Sequence, residues 1–343
     1  MKIVPVKESV GMTLCHDITR IVPGQFKGAA FKKGKVIEAG DIPKLLDLGK
    51  ENIYVFDLKD GYIHENEAAR RISGAAAGPG ILLSKPSEGR VNLKSETSGL
   101  LKVNVRGLLR INGIEEIVFS TMHTNQIVAP GKAVAGARII PLCAREEKIV
   151  RVEEICAGNF PIIEIKPFKA MKAGMVTTGS EVYNGRIQDK FGPVIKRKFE
   201  ELGSRITRQI FVSDSVEMAV DAISTLINEG AEIIAVTGGM SVDPDDQTPA
   251  AIRAAGGDVI FYGAPVFPGA MFMLAYIGDI PVMGLPGCVM YYRASIFDLV
   301  APRIMAGEKP VRSEIVGLGH GGFCAGCKEC RYPLCPFGKG GLE

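Results

Sequence analysis

Between residues 158 and 307 apolar runs of strand length alternate with amphipathic runs of helix length. This order constrains the fold more than any other feature of the chain. The strand-type runs are AGMVTT, RITRQIFV, AEIIAVT, DVIFYG and IPVMGL. Between and after them come PVIKRKFEEL, VEMAVDAISTLINE, PAAIRAA and VMYYRASIFDLV. Ile195, Phe199 and Leu202 fall at i, i+4 and i+7, with Gly203 as the stop. Val216, Val220, Ile223 and Ile227 predict one buried stripe, opened by Asp214 with Glu217 three residues on. Strands that are apolar throughout and separated by helices predict a doubly wound α/β domain. Its sheet is mostly parallel and covered on both faces, giving three layers.

The rest divides by composition. Residues 1–85 read as a small α+β domain, with a short helix over Ile42 to Leu48 that ends at Gly49. GAAAGPG at 74–80 reads as a linker. Residues 86–157 hold short β-type runs separated by glycine and proline, as in a small barrel-like or sandwich unit. Residues 308–343 form a cysteine-rich tail, and the closing Leu342-Glu343 reads as a remnant of expression cloning.

Three glycine-rich loops follow strands of the α/β domain: 177–193, 237–249 and 284–288. In a parallel sheet all three open on the carboxyl edge, where ligands bind. Glycine beside a strand end lets backbone N–H groups approach a ligand. Pro193 and Pro249 suit first helical turns, whose free N–H groups favour anions. The pattern predicts a pocket for a phosphorylated polar small molecule. Thr178, Gly179, Ser180 and Glu181 would line it from the first loop, and Thr237, Gly238, Gly239 and Ser241 from the second. Leu285, Pro286, Gly287 and Cys288 would do so from the third. Asp243, Asp245 and Asp246 suit a magnesium ion, polar ring nitrogens or proton transfer; helix capping would also explain them.

In order, these motifs are T-G-S-E-V, G-R-I-x-D, T-G-G-M-S, D-x-T-P, P-G and G-L-P-G. The set resembles the molybdopterin-binding domain of molybdopterin molybdenumtransferase, molybdopterin adenylyltransferase and gephyrin, over about residues 160 to 305. KKGKVIEAGDIPKLLDLGKENIYV in the first unit also looks like a molybdenumtransferase segment. The resemblance implies that the pocket holds the pterin dithiolene and its phosphate. It adds Asp189, Lys190, Pro268 and Gly269 to the binding residues, and implies a catalytic acid that maps to Asp246 with Asp245 beside it. There are departures. Ala270 stands where these transferases usually carry lysine, Cys288-Val289 where they carry Asn-Pro, and Lys190 where an asparagine is expected. Ligand binding survives these changes better than transfer catalysis. A thiolate at Cys288, favoured by a helix N-terminus, would suit molybdenum, while packing as a small apolar residue in the first helical turn would equally explain it.

Cys324, Cys327, Cys330 and Cys335 are spaced C-x2-C-x2-C-x4-C-P, close to a bacterial ferredoxin pattern. They predict one metal centre, iron–sulfur or alternatively zinc. Cys15, Cys143 and Cys156 read as buried apolar residues.

A net charge of +3 and 7% aromatics argue against a nucleic-acid surface, and the apolar stretch 259–285 is too broken by proline and Asp279 to span a membrane. A start without signal-peptide features predicts a cytoplasmic location. The expected function is molybdenumtransferase-like insertion of molybdate into molybdopterin. The alternative is a non-enzymatic cofactor carrier or sensor whose cysteine tail binds a cluster or a partner molybdoenzyme. Homo-oligomerisation is implied by the resemblance.

Overall fold

The computed structural model describes residues 2–22, 26–56 and 60–340, so the Leu342-Glu343 dipeptide lies outside the described residues. The chain divides into two compact units. The first comprises 1–96, 103–122 and 130–164, and the second 97–102, 123–129 and 165–343.

In the first unit, Lys2–Pro5 pairs antiparallel with Asn52–Val55, and Ile18–Val22 with Phe26–Phe31. A helix over Ile42–Asp47 ends at Gly49, whose φ of +71° is the left-handed conformation expected there. A four-stranded antiparallel sheet follows, in the order Ile81–Leu83, Arg90–Ser95, Ala133–Ile139, Ile117–Thr121. Three helices lie outside the helices expected from the sequence: Glu65–Ala76, Val105–Asn112 and Glu146–Ala157. The first buries Ile72 together with Ala68, Ala69 and Ala76, small side chains that permit close approach to a sheet. Its last turn takes up residues 74–76 of the glycine-rich stretch expected as a linker.

The second unit is built on a six-stranded sheet. Its strands are β1 (Lys172–Thr178), β2 (Arg205–Val212), β3 (Ile233–Thr237), β4 (Asp258–Tyr262), β5 (Met273–Ile277) and β6 (Ile280–Leu285). The spatial order is β2-β1-β3-β6-β5-β4. β2, β1, β3 and β6 pair in parallel, whereas β5 is antiparallel to both neighbours. Strand β5 is an addition to the sequence-based order. The helices are α1 (Phe191–Glu201), α2 (Val216–Asn228), α3 (Thr248–Ala254) and α4 (Ile296–Met305).

Alternate strand residues feed two cores, as the period of two requires. Met175, Ala235, Leu274 and Met283 face Ile195, Phe199, Phe297 and Val300 of α1 and α4. Val176, Ile234, Val236 and Val282 face Ala219, Ile223, Leu226 and Ile252 of α2 and α3. The mostly parallel three-layer arrangement is therefore observed. Two details of α2 differ from expectation. Its buried stripe is Ala219, Ala222, Ile223 and Leu226, and its N-cap is Ser215, whose hydroxyl accepts the Met218 N–H at 3.3 Å. Among the described residues no helix is long and apolar enough to cross a membrane.

Candidate functional site

Strand register brings the three glycine loops together. Thr177 of β1 lies opposite Thr237 of β3, and Thr237 opposite Leu285 of β6. The chain leaves all three strands at this edge. Pro268-Gly269 joins them, because β5 enters here with Met273 opposite Gly284.

The threonines form the floor of this edge. The Thr237 hydroxyl donates to Thr177 Oγ1 at 3.2 Å, the Thr178 hydroxyl to the Thr237 carbonyl at 3.3 Å, and the Thr248 hydroxyl to the Gly238 carbonyl at 2.8 Å. Thr178, Gly179, Thr237, Gly269, Leu285 and Pro286 are buried. They frame the edge and leave the surface to other residues. Glu181, Lys190, Ser241, Asp245 and Gly287 are exposed, and Ser180, Asp189, Gly238, Gly239, Asp246, Pro268 and Cys288 are half-buried.

The glycines have different jobs. Gly238 (φ +86°) lies so close to the first loop that a Cβ would sit 2.2 Å from the Thr178 carbonyl oxygen. It serves loop-to-loop packing rather than ligand entry. Gly287 has nothing within 4 Å of a built Cβ and so faces open space.

The carboxylates also separate. Asp189 accepts the Phe191 N–H at 2.8 Å and the Gly192 N–H at 3.1 Å, and Gln209 Nε2 donates to it at 2.7 Å. It caps α1, and Gln209, which also donates to Thr177 Oγ1 at 2.9 Å, ties that cap to the strand end. Asp214 accepts the Ser180 N–H at 2.9 Å, a role that sequence reasoning missed. Asp246 accepts the Asp243 N–H at 3.1 Å and returns its own N–H to the Asp243 carbonyl at 3.0 Å. This closes the acidic turn on itself, and no aspartate side chain caps α3.

Cys288 opens the short helix Cys288–Tyr291. Burial pushes its thiol above the usual range, and the backbone N–H groups of Cys288 and Val289 offset this only in part. Of the two readings of Cys288, the thiolate is thus disfavoured at neutral pH.

The cysteine segment is not a free tail. Phe337 is 4% exposed, and the Tyr332 hydroxyl donates to the Asp298 carbonyl at 2.8 Å. Cys324 and Cys335 pack against the α1–α4 core, while Cys327 and Cys330 are exposed. Among the described residues no three His, Cys, Asp or Glu side chains are grouped to hold a metal ion. The geometry therefore lends no support to an iron–sulfur or zinc centre at the four thiols, nor to magnesium at the aspartates. A cavity of about 370 Å³ in this unit lies beside α1 and α4, away from the strand edge. The buried pair Lys198–Asp298 (2.6 Å), Arg293 and Tyr332 line it.

Comparison with known proteins gives two family matches. A domain of unknown function covers residues 3–57, and a probable molybdopterin binding domain covers residues 174–306. The molybdopterin molybdenumtransferase of Synechococcus elongatus is 22% identical over 185 residues, covering 51% of this chain and 46% of the relative. That of Staphylococcus aureus strain COL is 26% identical over 168 residues, covering 46% of this chain and 40% of the relative. The match thus spans less than half the length of each of these relatives. The molybdopterin biosynthesis enzyme MoaB of Thermus thermophilus superposes with a TM-score of 0.32 at 16% identity. That overlay covers 40% of this chain and 98% of MoaB. The α/β domain of this chain belongs to the molybdopterin-binding domain family.

Proposed function

We propose that the chain binds molybdopterin at the carboxyl edge of β1, β3 and β6. We further propose that it works in molybdenum-cofactor biosynthesis as a molybdenumtransferase-like protein, promoting transfer of molybdate to the pterin dithiolene. The register row Thr177–Thr237–Leu285 carries this reading, because it opens three glycine loops on one edge beside a self-closed acidic turn. The accessible donors suit the ligand's two ends. Ser180, Lys190 and the open Gly287-Cys288 turn would hold the phosphate and pterin, with Lys190 supplying positive charge. Asp245 and Asp246 would face the reacting end, where a carboxylate can relay protons from the dithiolene thiols to the oxyanion oxygens that leave as water. Assembly into a homo-oligomer and a cofactor-biosynthesis or molybdoenzyme partner belong to the same proposal.

A carrier or sensor reading has one observation in its favour. The cysteine segment is bonded through Cys324 to Phe267, next to Pro268-Gly269, so a change at the thiols would reach the pocket loop. One experiment separates the two readings. The protein is mixed anaerobically with molybdopterin and molybdate, and pterin-associated molybdenum is measured after gel filtration. The transferase reading expects molybdenum to accompany the pterin, and Asp245→Asn with Asp246→Asn to abolish this while pterin stays bound. Retained pterin without molybdenum in the unmodified chain would favour the carrier.

A further inference from the structure

His64, in the first unit, ends the strand Tyr62–His64 and starts the helix Glu65–Ala76. Its Nδ1 accepts the Asn66 N–H at 3.1 Å, and its Nε2–H donates to the Cys15 carbonyl at 2.8 Å. Those two bonds fix one neutral tautomer, with Nδ1 as an acceptor. Burial lowers the imidazole pKa, so it stays neutral. Lys33 Nζ lies 2.9 Å from the same Nδ1 and 5.5 Å from the centre of the Phe56 ring.

We propose that Lys33, positioned by His64 and walled by Phe56, is a nucleophilic amine in a second site, one that takes a small uncharged aldehyde or ketone. This goes beyond the pterin reading and does not depend on it.

Lysine usually pairs with a carboxylate, but Lys33 makes no ion pair within 4.0 Å among the described residues; its hydrogen-bond acceptor is an imidazole lone pair. Asp17 instead accepts the Lys33 backbone N–H at 2.7 Å. Burial lowers the Lys33 pKa, against opposing contributions from Glu65, Cys15, Cys143 and Asp17. Glu65 is 5% exposed, and Arg138 stands at 3.9 Å from its carboxylate. Burial therefore raises the Glu65 carboxyl. The Asn66 Oδ1 atom is buried without a hydrogen-bond partner. Such a loosely satisfied polar cluster costs stability, and sites of this kind persist where chemistry needs them.

The chemistry balances without an oxidant. The lone pair of the neutral amine forms a C–N bond to the carbonyl carbon, and the C=O π pair moves to oxygen. The alkoxide takes one proton from nitrogen to become a hydroxyl, which takes a second proton and leaves as water, while nitrogen loses its remaining proton to give the imine. Glu65 is the group of the cluster able to supply and recover that proton. The carboxylates of Glu65 and Asp17 disfavour an anionic partner, hence the uncharged class.

The test is reductive methylation of the full chain with limiting formaldehyde and cyanoborohydride at pH 7, read lysine by lysine by peptide mass spectrometry. Lys33 is expected to react at least about tenfold faster than its exposed neighbour Lys32, because burial leaves more of its amine neutral at pH 7. Its rate should also reach half-maximum at lower pH. In His64→Phe, which keeps a packed ring and removes the acceptor, the advantage should fall below about threefold. Lys33 reacting no faster than Lys32 would overturn the site. An unchanged advantage in folded His64→Phe would overturn the positioning by His64. The unmodified chain alone decides the first point, even if the variant fails to fold.

Discussion

The Cys324 N–H donates to the Phe267 carbonyl at 2.8 Å, and the Phe267 N–H donates to the Gly322 carbonyl at 2.8 Å. The cysteine segment is thereby fastened to the residue preceding Pro268-Gly269. It also buries Phe337 and Tyr332 on the α/β core. Truncation after Gly317 should therefore destabilise the second unit by about 3–5 kcal/mol, the scale of losing a buried aromatic side chain. Denaturant midpoints measure this. A truncated chain with an unchanged midpoint would return the segment to the separable tail expected from its composition.

Glu308 should make stability depend on acid. Its carboxylate lies 2.8 Å from Lys102 and 2.9 Å from Arg303. Burial pushes the carboxyl up, but these two cations outweigh burial and hold it at about 2. The folded value is depressed, so the contribution is complete above the ordinary value of 4.5 and is lost as pH falls from there through about 2. Glu308→Gln should cost about 3–5 kcal/mol at pH 7, because Lys102 loses its carboxylate and Arg303 is left with Glu314 alone. The gap between variant and parent should narrow below pH 4 in urea titrations.

Gly238→Ala should be far more costly than an ordinary loop substitution. The left-handed φ and the 2.2 Å approach to the Thr178 carbonyl both penalise a Cβ. A loss of at least about 2 kcal/mol is expected, measured by thermal or chemical unfolding. A loss below about 0.5 kcal/mol, the range of ordinary surface changes, would show that the two loops are not packed this closely.

Cys288 should label slowly. With its thiol held above the usual range by burial, iodoacetamide at pH 7 should modify Cys327 and Cys330 first. Quantitative peptide mapping checks the order. Fast Cys288 labelling would restore the thiolate that the helix N-terminus alone suggests.

What the sequence could and could not reveal follows from the range of each interaction. Loop placement was legible, because glycine and proline interrupt apolar runs at the ends of β1, β3 and β6. Strand β5 was hidden, because only Gly278-Asp279 separates it from β6 within one apolar stretch. The α2 stripe was misplaced by one position, because Ala219 and Ala222 carry little hydrophobic signal beside Val216 and Val220. Helix Glu65–Ala76 escaped notice because its buried face is mostly alanine. Cys288 shows the limit of local reasoning. Its helix position is written in neighbouring residues, but the burial that decides its charge comes from distant ones. Lys33 and His64 are 31 residues apart, and Asp298 and Tyr332 are 34 apart, so neither contact has any local signature.

The most direct test of the central claim uses Gly287. Its φ of −52° suits any residue, and a Cβ there meets nothing within 4 Å. Gly287→Phe should therefore fill the proposed crevice without disturbing the fold. Protein is mixed anaerobically with molybdopterin and passed through gel filtration, and retained pterin is measured by fluorescence after oxidation. The unmodified chain should retain about one pterin per chain, and Gly287→Phe at least about tenfold less, with its melting temperature unchanged. No retention by the unmodified chain, or equal retention by both, would contradict a pterin site at this edge.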